Sequence, residues 1–419
     1  MIFNNFLRVF ALESLILLIF TSYFFLWSQS FIIFDERLLI ISLLPLYFFL
    51  NKRPINKSLI FLFSAIFFFI LVHKLITNFY FKFPLFYNFQ SLIGFLLIIV
   101  VAIFYRSYLI NNLNKIIYFF FSILILCFIF ENIIYDNQYS LNNFDCLNGW
   151  FSTNSKLFSE NSHFGMIAPA IISYLIFMKN NKTKYKYLNV ILIIFLFLFI
   201  STTMLVGISI SLGAFLLFKY KLLNSFQKIL SILVLIISIV LLLLKPQCNM
   251  RLTETIEGLY VDLKSKYYND PSIKMAQTLN KFGNGSLNQS TEVFLGSYDI
   301  SYKSLKSHPL GVGLNNYKIS FEKFRSEEFY TIWNVNKEDG SNNFSKIIAE
   351  FGIFGLLFFS ILLYIFFKDN KNLNTNVFFY SIIITQLLRG AGYFNGSFLL
   401  CVFIVLSFIL LKEDDVKYS

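Results

Sequence analysis

Apolar runs long enough to cross a bilayer recur along nearly the whole chain, and this leaves few folds open. A helix needs about twenty apolar residues to span roughly 30 Å of hydrocarbon. Such runs fall at residues 9–27, 58–77, 85–105, 115–135, 163–179, 187–203, 226–244, 344–367, 375–392 and 394–411. Two shorter runs, 36–50 and 204–218, read the same way. Backbone groups in lipid must be satisfied within the protein, which favours helices. The expected fold is all-α: a polytopic membrane helical bundle of about twelve transmembrane helices. Residues 1–244 would hold about nine of these spans, with an outer loop at 136–162. Residues 245–343 would form a large, mostly helical loop, and 344–419 the last three spans and a tail.

Charge supplies a direction. The chain is 57% hydrophobic and 14% charged, with a net charge of +12. In a soluble protein that excess would point to nucleic acid. Here Lys and Arg concentrate in alternate short loops, as positive-inside topology requires. With the N-terminus inside, Lys52, Arg53, Lys57, Arg106, Lys115, Lys179, Lys182, Lys184, Lys186, Lys219, Lys221, Lys228, Lys368, Lys371, Lys412 and Lys417 all fall inside. The expected setting is a bacterial inner membrane, with both termini cytoplasmic, the large loop periplasmic and no nucleic-acid partner. Arg8 before an apolar run resembles a signal peptide, but further spans follow and no small-residue cleavage site is evident.

The 99-residue loop at 245–343 carries twelve Lys/Arg and eleven Asp/Glu, so it is nearly neutral. Long loops cross a membrane largely regardless of charge, and loops this long are usually functional or disordered. Its aromatic content favours a folded cap. Cys146 and Cys248 fall in the two outer loops, where an oxidising space permits a disulfide. Cys127 and Cys401 lie inside apolar runs and read as packing residues. No Cys/His spacing suggests a metal site, and the expectation is no metal and no cofactor.

Polar groups within spans are costly and tend to face a polar interior. Arg389 lies near the outer end of its span, and Glu350 just inside the outer end of another. Glu160 and His163 flank the outer start of a third, and Arg251 follows a span exit at Lys245-Pro246. All converge beneath the large loop. Each also has a structural reading, as a buried ion pair, a cap or a snorkelling side chain. For Glu350 that reading is the stronger, as partner to an Arg. Glu13 and His73 read as packing or bundle-interior groups.

An outer-facing cationic pocket in a lipid-lined bundle suits a lipid-linked anion such as a glycosyl pyrophosphate-lipid. Arg pairs bidentately with phosphate oxygens and stays ionised when desolvated. Fixed guanidinium groups can stabilise a departing pyrophosphate without metal, and a base can take the proton of the attacking sugar hydroxyl.

The loop ends in Ser307-His308-Pro309-Leu310-Gly311-Val312-Gly313-Leu314-Asn315-Asn316-Tyr317, followed by Ser341-Asn342-Asn343-Phe344 and Ile348-Ala349-Glu350-Phe351-Gly352-Ile353-Phe354-Gly355. This pair resembles the "hPllGvGlgnf" and "HN…l.E.G..G" elements of the O-antigen polymerase and ligase superfamily. Phe158-Ser159-Glu160-Asn161-Ser162-His163-Phe164 resembles the "sEpShf" element of Wzy-type polymerases. Two departures stand out. Ligases carry a His before the Asn of "HN", where Ser341 or Asn342 stands here. An "SsgR" Arg midway through the loop has no counterpart in Gln289-Ser290-Thr291-Glu292-Val293, leaving Arg251 or Arg325 to supply that cation.

The resemblance implies a metal-independent membrane glycosyltransferase that polymerises polyprenyl-pyrophosphate-linked repeat units outside the inner membrane, as donor and acceptor. A chain-length regulator protein would be a partner, with membrane lipid around the bundle. Arg251 and Arg389 would hold the two pyrophosphates, with His163 or Glu160 near the acceptor hydroxyl. Arg325, His308, Gly311, Gly313, Asn342, Asn343 and Glu350 would line the substrate site, His308 reading equally as a turn residue. The alternatives are a ligase-type transferase and a non-enzymatic flippase.

Overall fold

A computed structural model describes residues 13–21, 23–24, 57–84, 86–129, 161–178, 183–199, 201–243, 289–325, 336–368, 373–390, 392–393 and 397–408. The fold is all-α, and no strand occurs among the described residues. A helical segment at 13–21 is followed by α1 (Lys57–Tyr80), α2 (Phe89–Ile129), α3 (Asn161–Phe177), α4 (Thr183–Leu196), α5 (Thr202–Lys219) and α6 (Ser225–Leu243). Then come α7 (Gln289–Ser307), α8 (Tyr317–Phe324), α9 (Asn343–Phe351), α10 (Ile353–Lys368), α11 (Leu373–Leu388) and α12 (Phe398–Ser407). Among the described residues, four helices are long and apolar enough to cross a membrane: Lys57–Tyr80, Phe89–Leu126, Thr202–Leu222 and Ser225–Leu242.

Burial sorts the helices into layers. Every residue from Phe164 to Phe177 of α3 is buried, as is every residue of α12. These helices, with α11, form the centre. By contrast α6 and α10 expose Ile229, Leu233, Ile236, Leu356, Leu357 and Leu363, the surface expected of helices that face lipid rather than water. Pro169 lies inside α3, and the neighbouring α5 meets it with a glycine. A Cβ on Gly207 would come 2.7 Å from Pro169 Cγ, so the missing side chain lets the two helices close up.

Two expected spans merge. Residues 85–105 and 115–135 were separable by the polar stretch around Arg106 and Lys115, yet α2 runs unbroken over 41 residues. At 1.5 Å per residue it is roughly 60 Å long. The cause lies in the sequence: between Gly94 and Gly149 there is neither Gly nor Pro to end a helix. The polar groups are accommodated instead. Arg106 Nε donates to Ser407 Oγ at the end of α12, and Lys115 pairs with Glu13 at 2.7 Å. The reversal that the alternating topology placed between Arg106 and Lys115 is therefore absent from this helix.

The expected span at 344–367 is divided as well. It begins as α9, turns at Gly352 (φ +57) and continues as the apolar α10. With α7 and α8, α9 belongs to a small polar cap. Ile300, Tyr317, Phe321 and Ala349 make its core, with Phe324 packed against them. Along α7, Ser297, Ser301 and Ser304 lie three and four residues apart, hence on one face. Ser301 Oγ donates to Ser345 O at 2.8 Å, and Ser304 and Ser320 share a hydrogen bond of 2.8 Å. Small hydroxyl residues let α7 approach α8 and α9 closely while satisfying backbone and side-chain groups.

Candidate functional site

The residues from His308 to Tyr317 form a strap wound over the end of α9. Its backbone bonds follow from which groups a helix terminus leaves open. Val312 N donates to Ala349 O at 3.1 Å, Gly313 N to Glu350 O at 2.8 Å, and Ile353 N to Pro309 O at 2.8 Å. Gly311 (φ +83) sits so close to the Glu350 carbonyl that any Cβ would collide with it, and Gly352 stands in the same relation to the Pro309 carbonyl. Both glycines combine a left-handed conformation with backbone-to-backbone contact, which no other residue tolerates.

The Glu350 side chain completes the strap. It is fully buried, and each carboxylate oxygen accepts a backbone N–H: Oε2 from Asn315 at 2.8 Å and Oε1 from Tyr317 at 3.1 Å. Tyr317 opens α8, so the carboxylate also sits at a helix N-terminus, where negative charge is favoured. The cation beside it is Lys346, one turn back on α9 and 4.0 Å away. Lys346 in turn donates to Glu338 O at 2.7 Å and Asn315 Oδ1 at 3.3 Å, and lies 5.0 Å from the Tyr393 ring centroid.

The first long helix holds the strap from the other side. Lys74 Nζ donates to Leu314 O, and His73 Nε2 lies 2.7 Å from Leu310 O. A carbonyl only accepts, so Nε2 carries the His73 proton. The ring stacks on Phe351 with centroids 5.1 Å apart. Asn88 Nδ2 donates to Asn315 O at 3.1 Å. His308 packs against Phe81 and Phe324, and its Nε2 accepts from Lys323 Nζ at 3.0 Å. Burial and the Lys323 ammonium both push the His308 imidazole below its usual range. Asp339 is pushed up by burial, against the pull of Lys346.

The expected site residues divide as follows. Glu350, His308, Gly311 and Gly313 come together as parts of the strap, with Gly313 (φ +93) against Thr77 of α1. Asn342 is the N-cap of α9: its Oδ1 accepts from Ser345 N at 2.7 Å and its Nδ2 donates to Ser297 Oγ at 2.7 Å. Asn343 is fully buried beside Gly390, and neither end of its amide has a hydrogen-bond partner among the described residues. Arg389 follows α11 directly, half-buried, with its backbone N–H on Thr385 O. The residue after it, Gly390, is the one that packs against Asn343. Arg325 is exposed at the end of α8, on the cap. His163 begins α3 in its backbone path. Its side chain, with Glu160, Arg251 and the Cys146–Cys248 pairing, lies outside the described residues.

Sequence reasoning passed over Lys346 and gave Lys74 and His73 no part in the site. The signal for Lys346 was its spacing of four from Glu350, which on a helix puts the two side chains together. For His73 and Lys74 it was two basic residues adjacent in an apolar run.

No curated protein matches the chain. Residues 187–360 match the model of a family described as O-antigen ligase. That stretch runs from α4 into α10 and includes the strap, Glu350 and Lys346, so over these residues the chain is similar to the O-antigen ligase family and resembles its wider ligase and polymerase superfamily.

Proposed function

We propose that this protein is a membrane glycosyltransferase that joins polyprenyl-pyrophosphate-linked oligosaccharide repeat units on the outer face of the inner membrane. The observation that carries the reading is Arg389. It is an arginine directly after α11, a helix with no charged residue of its own, and it precedes Gly390, which packs against Asn343 of the motif that follows the strap. The family match supports glycan transfer in general. A bidentate cation there suits a pyrophosphate oxygen pair.

In the proposed reaction an acceptor sugar hydroxyl attacks the anomeric carbon of the donor chain. The new bond forms between that carbon and the hydroxyl oxygen. The bond to the pyrophosphate oxygen breaks, and the electron pair leaves with the pyrophosphate-lipid. The hydroxyl proton passes to a base, for which His163 and Glu160 are the candidates. Arg389, with Arg251, balances the charge that grows on the leaving group.

Polymerase is preferred over ligase because Ser341 and Asn342 stand where ligases of the superfamily carry His. Asn342 is already engaged as the cap of α9. The description of the matched family favours ligase as the second reading. Glycan gels of a deletion strain separate them. Loss of a polymerase leaves lipid A-core capped by a single repeat unit. Loss of a ligase leaves uncapped core and lipid-linked polymer. Repeat units stranded on the cytoplasmic face would identify a flippase and sink the transferase reading.

A further inference from the structure

Asn343 presents an unusual chemistry. Its side chain is completely buried at the first position of α9, and both Nδ2 and Oδ1 lack any hydrogen-bond partner. Its neighbour Asn342 makes every bond that an N-cap needs, so the orphaned amide is not a capping group. Gln386, one turn before Gly390 on α11, is also buried and leaves its Nε2 unpartnered. Gly390 links the two elements: a Cβ on it would come 2.6 Å from both Asn343 Nδ2 and the Gln386 backbone O, so its missing side chain lets Asn343 pack against the end of α11. A buried amide left without partners costs about 1–3 kcal/mol per polar group, and proteins rarely keep such groups without a use.

The geometry points to Asn343 and Gln386 as a neutral hydrogen-bonding subsite that recognises a carboxamide, such as the N-acyl group of a sugar in the repeat unit, beside the pyrophosphate site at Arg389. This rests on the glycosyltransferase reading and names the substrate class at that same site. A phosphate fits less well, because it only accepts and would meet the Asn343 carbonyl oxygen. A carboxamide offers one acceptor and one donor, matching the two ends of Asn343. Exchanging the assigned Oδ1 and Nδ2 changes nothing, since both ends are unpartnered. Gln386 Nε2 supplies a further donor for the carbonyl. No solvent reaches these atoms, so loading requires Gly390 to part from Asn343. One backbone bond beside Asn343 is long: Gly390 N to Ser341 O is 3.4 Å.

The test uses the full-length protein in lipid nanodiscs and three probes: bare polyprenyl pyrophosphate, the same lipid carrying an N-acetylhexosamine, and the same lipid carrying the corresponding hexose. Wild type is expected to bind the N-acetylated lipid about tenfold tighter than the hexose lipid, the worth of one or two hydrogen bonds. Asn343→Leu and Gln386→Leu should each erase that preference while still binding bare polyprenyl pyrophosphate. Without ligand, Asn343→Leu should melt no lower than wild type, because it removes orphaned polar atoms. An unchanged N-acyl preference in both variants overturns the subsite, as does a wild type that does not discriminate. A marked fall in melting temperature for Asn343→Leu overturns it too, since the amide would then be serving the fold. Failure of all three lipids to bind wild type removes the transferase reading and this inference together. Binding of bare pyrophosphate without N-acyl preference removes only the inference.

Discussion

Glu350 Oε2 lies 2.8 Å from the amide nitrogen of Asn315, thirty-five positions earlier in the chain, and through that bond one side chain fixes the end of the strap. With Tyr317 N on the other oxygen, the carboxylate meets two backbone donors and needs an acceptor atom for each. Glu350→Gln keeps the shape but turns one end into a donor, so one backbone N–H faces an N–H. The expected loss is about 2–4 kcal/mol, seen as a lower melting temperature and faster proteolysis of the 308–317 strap. Glu350→Asp keeps both acceptors but is one methylene short, and should fall between. A Glu350→Gln variant as stable as wild type would refute the anchoring role.

Gly311 in the strap and Gly352 at the end of α9 are expected to be irreplaceable for steric reasons. Gly311→Ala and Gly352→Ala each place a Cβ against a carbonyl in a left-handed backbone. Each should lose at least about 2 kcal/mol, enough to lower the yield of folded protein from membranes. Gly213→Ala is the control. It lies within α5 with nothing within 4 Å of the added methyl, and should gain roughly 0.5–1 kcal/mol from helix propensity.

These motif positions show how far the sequence could be read. The Pro309-Leu310-Gly311-Val312-Gly313 and Glu350-Phe351-Gly352 elements were visible as a pair, but nothing in one dimension said that they bind each other. Lys346 was legible only once α9 was known to be a helix whose i and i+4 positions coincide. The merged α2 followed from missing helix breakers, while the apolar windows on either side of Arg106 looked like two spans. The break at Gly352 was hidden for the opposite reason: the apolar pattern continues across it, and only the Pro309 carbonyl makes the turn necessary. Arg389 and Asn343 were singled out separately; that Gly390, next in the chain to Arg389, packs on Asn343 depends on how α9 meets the end of α11.

Acidification should loosen the strap through His308. Burial and Lys323 hold its imidazole below the usual value of 6.5, so the folded state prefers the neutral ring. The unfolded chain then binds more protons as pH falls through 6.5, and stability is lost from there down to the folded pKa. Peptides covering 305–325 should be strongly protected from hydrogen exchange at pH 7.5 and less protected at pH 5.5, protection being taken relative to the intrinsic rate at each pH. Lys323→Met removes the 3.0 Å contact and the nearby positive charge. It should raise exchange at pH 7.5 while making it less sensitive to acid. An acid response as steep as that of wild type would show that the titrating group lies elsewhere.

Arg389 separates chemistry from stability. Under the proposed function Arg389→Ala inserts normally but loses polymer ladders, while Arg389→Lys keeps the charge and loses the planar fork. The Lys variant should retain only a small residual activity, on the order of 10²-fold below wild type. Gel analysis of a deletion strain complemented with each variant checks this. Full-length ladders from Arg389→Ala would remove the cationic site from the mechanism.

Lys346 and Glu350 should behave as a coupled pair. Lys346 is almost fully buried, and besides Glu350 it serves Glu338 O, Asn315 Oδ1 and, at 3.8 Å, Asp339. Lys346→Met removes all of these and leaves a buried carboxylate with less positive charge around it, a loss of about 3 kcal/mol. Glu350→Gln leaves a buried ammonium near a neutral amide, a comparable loss. In the double variant neither charge is stranded, so the two effects should not add. The double-mutant cycle is expected to give a coupling of about 1–2 kcal/mol, measured by thermal unfolding in one detergent at one pH. Lys74 Nζ, which donates to Leu314 O, also lies near Glu350 and would keep part of its charge balanced in Lys346→Met. Repeating the cycle in a Lys74→Met background should therefore enlarge the coupling. Strict additivity in both backgrounds would mean that Lys346 holds the Glu338 turn and Asn315 without acting on Glu350 at all.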